Sequence, residues 1–157
     1  VRALAIQAKE AYIGFNIDAE EAARLDLSLD LIEALMRDPK LGGWDGFGVV
    51  VQAYQRRAPF VIDWLAVTAR ETGRRIMVRL VKGAYWDGEI KRAQVMGLES
   101  YPVFTRKVLT DVSYQACAKK LFANADVLYP QFATHNALTA AIVREMAGDV
   151  TEYELQR

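Results

Sequence analysis

An arginine inside an otherwise apolar run, RIMVRLVK, is the first residue that asks for a chemical reason. Arg79 is flanked by Met77, Val78, Leu80 and Val81, so a strand suited to burial would carry a guanidinium inward. A desolvated guanidinium needs an anion or a ring of acceptors. Two roles stay open: a structural ion pair with a carboxylate such as Asp18, or a cation facing a substrate or cofactor. Lys82 stands at the carboxyl end of the same run in apolar company, the way a Schiff-base lyase presents its amine. A solvated lysine at a strand-to-loop junction is the plainer alternative. The run Thr134-His135-Asn136 lies between a strand and a helix that Asn136 could cap, and first-turn amides form a seat for phosphate. A lone histidine there can equally be a hydrogen-bonding hinge. Tyr85 and Trp86, in GAYWDG, follow the Arg79 run directly; they could stack on a flat ring or pack beneath the next helix. Asp18 and Gln52 are polar where a purely structural strand end favours Val or Ile. A cation, an amide, a phosphate seat and aromatics at one mouth suggest a large phosphorylated, flat-ringed ligand, as a flavin nucleotide is.

These residues need a frame that brings them together, and the sequence alternates between two periods. Leu4–Tyr12 has helical spacing, Gly14 breaks it, and FNID reads as a short strand. From Glu20 to Met36 the stripe Leu25, Leu29, Ile32, Met36 predicts an amphipathic helix, which Asp38-Pro39 and Gly42-Gly43 stop. GFGVVVQAY (46–54) is too continuously apolar to be half-exposed and suits a buried parallel strand. A helix opened by Pro59 buries Ile62, Leu65, Ala66 and Ala69 and ends at Gly73. RRIMVRLVK (74–82) is the next buried strand, followed by the loop GAYWDG and a short helix around Glu89–Met96. A long helix then runs from about Arg106 to Asn124, with Val108, Val112, Tyr114, Cys117 and Leu121 on or near its inner face. VLYPQFAT (127–134) is a strand, Ala137–Ala147 a helix with Gly148 past its end, and YELQ opens a further strand.

Strand and helix in alternation predict an α/β fold with a parallel sheet. An open doubly wound sheet and a (β/α)8 TIM barrel both fit. The first strand is not followed by the Gly-rich turn of dinucleotide-binding sheets. Asp18, Gln52, Arg79, Lys82 and Thr134–Asn136 all fall near strand carboxyl ends, which converge in a barrel. The barrel is therefore the expectation.

Composition narrows the function classes. The chain has 157 residues, 20 basic and 20 acidic, with a formal net charge of zero. That balance argues against a nucleic-acid grip built on phosphate neutralisation. One cysteine, Cys117, and one histidine allow neither an internal disulfide nor a four-ligand thiolate/imidazole zinc site, so no metal is expected. No apolar run reaches membrane-span length. The amino-terminal VRALAIQAKEAY does not read as a secretory leader, and the reducing cytosol is the expected compartment.

Longer runs carry a resemblance. RLVKGAYWDGEIKRAQ (79–94), GLESYPVFTRKVLTDVSYQACAKKL (97–121) and YPQFATHNA (129–137) closely resemble the proline dehydrogenase domain of bacterial bifunctional proline utilization A flavoenzymes. So do NIDAEEAARLDLSLDLIEAL (16–35) and VVVQAYQRRAPFVIDWL (49–65). The resemblance extends over essentially the whole chain and implies a distorted (β/α)8 barrel holding FAD non-covalently. It implies oxidation of L-proline to Δ1-pyrroline-5-carboxylate, with hydride passing to flavin and electrons then passing to membrane quinone.

What the resemblance implies can be placed residue by residue. Arg79 would contact the flavin near its reactive nitrogen. Val81, Gly83, Ala84 and Trp86 would line the cofactor, and Gln52 would hydrogen-bond the isoalloxazine edge. Thr134, His135 and Asn136 would meet the adenosine and pyrophosphate part, joined by Thr105 and Lys107. Asp18 would be the strand-end aspartate of the active site, orienting a basic neighbour rather than abstracting a proton, and Leu80 and Tyr85 would wall the proline ring. Since a complete barrel takes about 250 residues, the chain is expected to be the central part of one, about strands 2 to 6. The resemblance implies that the residues binding the substrate carboxylate, a lysine on the preceding strand and a pair of arginines on the final barrel helix, lie outside it, and the segment alone is expected to be inactive. An L-glutamate γ-semialdehyde (aldehyde) dehydrogenase domain in the same longer chain and peripheral membrane association are further implications. A Schiff-base barrel lyase using Lys82, and a non-catalytic flavin-binding piece, are the alternatives.

Overall fold

Residues 1–156 are described by a computed structural model, in which five parallel strands lie side by side in the order in which they occur in the chain. They are β1 (Phe15–Ile17), β2 (Phe47–Gln52), β3 (Ile76–Val81), β4 (Leu128–Ala133) and β5 (Glu154–Gln156). The helices are α1 (Arg2–Glu10), α2 (Leu25–Met36), α3 (Ala58–Thr72), α4 (Trp86–Val95), α5 (Lys107–Ala123) and α6 (Ala137–Ala147). Sequential strand order decides between the two architectures. A doubly wound sheet must reverse its strand order at a switch point, whereas right-handed crossovers taken always in one direction lay every connecting helix on one face. The chain is thus an arc of a (β/α) barrel, and its sheet is not closed among the described residues.

Alternation along the strands separates two faces. Phe47, Val49 and Val51, then Ile76, Val78 and Leu80, then Leu128 and Phe132 are all buried. They pack in one core with Ile62, Leu65 and Ala69 of α3, Tyr114, Cys117 and Leu121 of α5, and Val143 of α6. The pairing register sets Gly48 beside Met77, Val50 beside Arg79 and Arg79 beside Gln131 on the opposite face. That second face is where the polar residues go.

Helix ends follow local chemistry where the sequence is explicit. Pro59 sits in the first turn of α3, and Gly73 closes it in the left-handed region with φ 62°. The Asn136 side chain accepts a hydrogen bond from the Thr139 amide and caps α6,. Three expectations are corrected. The helix foreseen from Glu20 begins at Leu25, because residues 18–21 form a loop and Ala22–Arg24 a 3₁₀ turn; the Ala22 amide is held by Glu89. The GAYWDG stretch is not all loop, since α4 starts at Trp86 with Asp87 and Glu89 in its first turn, where acidic side chains complement the helix dipole. On α5, Val108 and Val112 point to solvent. The buried stripe runs through Thr110, Ser113, Tyr114, Cys117 and Leu121 instead, a helical period anchored on small polar residues that a hydrophobic reading passes over.

Candidate active site

The carboxyl ends of β1 to β5 open onto a cleft of about 780 Å³. Three loops build its rim: residues 18–20 after β1, 82–85 after β3 and 134–136 after β4. Arg79 enters from β3. Its guanidinium pairs with Asp18 across a 2.5 Å contact, the arginine side chain 29% exposed and the aspartate 74%. The guanidinium is therefore both paired with Asp18 and open to the cleft.

Gln52, at the end of β2 and 3% exposed, fastens two of the loops. Its Nε2 donates to the Glu20 carbonyl at 2.8 Å, and its Oε1 accepts from the Ala84 amide at 3.1 Å. Glu20 does a second job: its carboxylate accepts the Tyr85 hydroxyl at 2.9 Å. That contact raises the Tyr85 phenol above its ordinary value, so Tyr85 stays a neutral donor. Lys82 donates to Asp111 at 2.6 Å, and Lys107 donates to the other carboxylate oxygen at 2.8 Å. The two lysines hold the Asp111 carboxyl below the usual carboxylate range, Lys107 foremost.

The turn after β3 depends on one glycine. Gly83 has φ 148°, and a Cβ there would lie 2.4 Å from the Tyr54 ring. Tyr54 is 2% exposed and burial pushes its phenol up to about 12. Its ring fills the space behind Gly83 and presses the 83–85 backbone to the rim. Cys117 is fully buried with its thiol pushed up to about 11 by desolvation, which makes it core packing and not a nucleophile.

The cleft gathers Asp18, Gln52, Arg79, Val81, Gly83, Ala84, Tyr85, Lys107, Thr134, His135 and Asn136, together with Lys82. Three expected site residues lie elsewhere. Leu80 is fully buried: the alternation that turns Arg79 and Val81 to the cleft turns Leu80 to the helices, where the Tyr114 hydroxyl reaches its carbonyl. Trp86 opens α4 and donates from its indole to the Phe104 carbonyl at 2.9 Å, tying the helix to the segment before α5. Thr105 is exposed on that same segment and does not line the cleft.

Glu20, Asp111 and Gln131 were missed by sequence reading. Gln131 lies beside Arg79 on the cleft-side face and donates to Glu154 at 2.7 Å. The signal that singled out Arg79, a polar side chain within an apolar strand, applies equally to it. Nothing local distinguishes Glu20 or Asp111 from a solvated helix residue. Among the described residues, no group of three or more His, Cys, Asp or Glu could hold a metal, and no helix is long and apolar enough to cross a membrane.

The family model described as "Proline dehydrogenase" matches residues 1–157. The "Bifunctional protein PutA" of Klebsiella aerogenes is 59% identical over 159 residues, covering 99% of this chain and 12% of that protein. The protein of the same description from Rhizobium meliloti is 58% identical over 164 residues, covering 99% of this chain and 13% of the relative. A crystal structure of a mutant proline utilization A from Bradyrhizobium japonicum superposes with a TM-score of 0.96 at 59% identity, over 99% of this chain and 16% of that one. The proline utilization A of Bdellovibrio bacteriovorus, solved after inactivation by N-propargylglycine, gives 0.91 at 34% identity, over 95% of this chain and 15% of that one.

Proposed function

The chain belongs to the proline dehydrogenase family, and from that premise we propose that it forms the cofactor cradle and part of the substrate wall of an FAD-dependent enzyme oxidising L-proline to Δ1-pyrroline-5-carboxylate. The observation that carries this reading is the convergence of Arg79, Gln52, Lys107 and the Thr134–Asn136 segment on one cleft at the strand ends. The donor set fits a flavin dinucleotide. The cleft offers a guanidinium, two ammoniums and the mouth of a capped helix, all suited to an elongated anionic ligand.

Bound flavin supplies the two-electron oxidant for the α-C–H bond of the substrate amine. The side chains prepare the site for it. Arg79 presents a fixed positive charge where negative charge develops during transfer, and a preorganised cation there costs no reorganisation. Asp18 aims that guanidinium. The substrate nitrogen must be neutral for its lone pair to assist, and bulk solvent takes the ammonium proton through an open mouth. No general base is required of Asp18. Tyr85, held by Glu20, serves as a wall of the ring pocket, and Gln52 locks the two loops that frame it. Leu80, turned into the core, contributes through its backbone position only.

Lys82 does not support the Schiff-base alternative. Such an amine must be unpaired and desolvated, whereas the Lys82 ammonium is clasped by Asp111. The chain spans about one eighth of the bacterial relatives it matches, so we further propose, following the relatives' description as bifunctional, that a second, aldehyde-oxidising dehydrogenase domain accompanies it. A cytoplasmic setting with peripheral access to membrane quinone fits that activity.

The test uses a full-length chain carrying this segment. Extraction of its cofactor should yield FAD, and L-proline should drive reduction of an electron-accepting dye. A colourless protein, or a flavoprotein indifferent to proline but active on another amine, would overturn the reading. Borohydride trapping of a substrate on Lys82 would revive the lyase.

A further inference from the structure

Asp111 lies on α5, four residues after Lys107, and does not itself line the cleft, but both of its carboxylate oxygens are taken by lysines that do. Lys82 arrives from the end of β3 and Lys107 from the start of α5. Asp111 is about two-thirds covered and Lys82 about three-quarters, while Lys107 is 76% exposed, so the Lys82 contact is sheltered and the Lys107 ammonium reaches the carboxylate from the solvent side. The helix gives a second reason to look here. α5 opens on Arg106 and Lys107 with no acidic residue in its first turn, the reverse of what its dipole favours.

We propose that Asp111 is a positioning residue whose carboxylate holds the Lys82 and Lys107 ammoniums as a matched pair facing the phosphates of the dinucleotide cofactor. The proposal rests on the flavin reading above and deepens it. An ammonium has three donors, and Asp111 uses one on each lysine, leaving two on each for the ligand. Without the carboxylate the ammoniums repel one another and regain their rotamer freedom, which ligand binding must then remove. Loss of its negative charge works the other way and would strengthen phosphate attraction. In a wet, salt-screened cleft that gain is the smaller effect.

The experiment measures the dissociation constants of FAD and of riboflavin, which lacks the phosphates, for the full-length apoprotein by flavin-fluorescence quenching. Asp111→Asn should weaken FAD by about tenfold, the size of one lost charge-assisted contact, while riboflavin binding and the thermal midpoint stay put. Asp111→Glu should restore most of the loss. Unchanged or tighter FAD binding by Asp111→Asn would overturn the proposal. Equal weakening of FAD and riboflavin with a lowered thermal midpoint would also overturn it, showing a strap between β3 and α5 and nothing more. A wild-type protein that binds neither flavin fails the underlying function instead.

Discussion

Arg79 and Asp18 make an ion pair that is too exposed to matter for stability and well placed to matter for chemistry. With the aspartate 74% exposed, such pairs contribute roughly 0–1 kcal/mol to folding. Asp18→Asn should therefore leave the thermal midpoint and the flavin content unchanged while lowering proline turnover by roughly a hundredfold, the scale of a misplaced catalytic group. Purification of that variant without flavin would contradict the orienting role and make Asp18 a cofactor-site residue. Gly83 is the opposite case, a residue without chemistry whose replacement should be costly. Gly83→Ala meets both a positive φ and the Tyr54 ring, so a loss of about 2–4 kcal/mol is expected. Denaturant unfolding that moved by less than about 1 kcal/mol would show the turn to be pliable. At this scale a guanidinium in an apolar run announces itself, because burying it unpartnered is expensive. Glu20 and Asp111 look like ordinary helix acids, since what defines them is the partner that folding brings.

Elements tell where local pattern is enough. Strand existence, the sequence of helices and the Asn136 cap follow from period, β-branched runs and end signals, and the structure places them within two residues of expectation except at the starts of α2 and α4. Of the two failures, one has a tertiary cause and one a local cause. The loop 18–21 stays unwound where Gln52 and Tyr85 engage Glu20. The glycines of GAYWDG obscured a helix start that acidic residues favour. At the other end of the barrel arc, α1 is fastened by Arg2 to Asp38, while Arg74 binds the carbonyls of Asp38 and Leu41. Hydrogen bonds from Arg2, and next from the Lys40 amide, hold the Asp38 carboxyl below its ordinary value of 3.8. A depressed carboxyl stabilises the fold above its unfolded value and loses that contribution as pH falls through the folded one. Amide exchange should accordingly show α1 protected at neutral pH and loosened below pH 3.8, ahead of α3. Equal protection of α1 and α3 in acid would show that the Asp38 tie does not hold the helix.

For the whole molecule, strand order is the informative quantity. Five parallel strands in chain order direct every strand's carboxyl end to one mouth, which is why residues as far apart as Asp18 and Asn136 line one cleft. Strand-end polarity in the sequence anticipated this. It could not show which strand residues turn inward, since a one-residue shift exchanges the faces; Leu80, expected at the site from the resemblance alone, is buried on the helix-facing side. On the proposed function, this cleft holds a flavin that proline reduces. The most direct test is anaerobic addition of L-proline to the full-length protein while the visible flavin band is recorded. Bleaching with proline, and recovery when an electron acceptor is admitted, are the expected result. A flavin band that persists at saturating proline, or the absence of any flavin band, would contradict it.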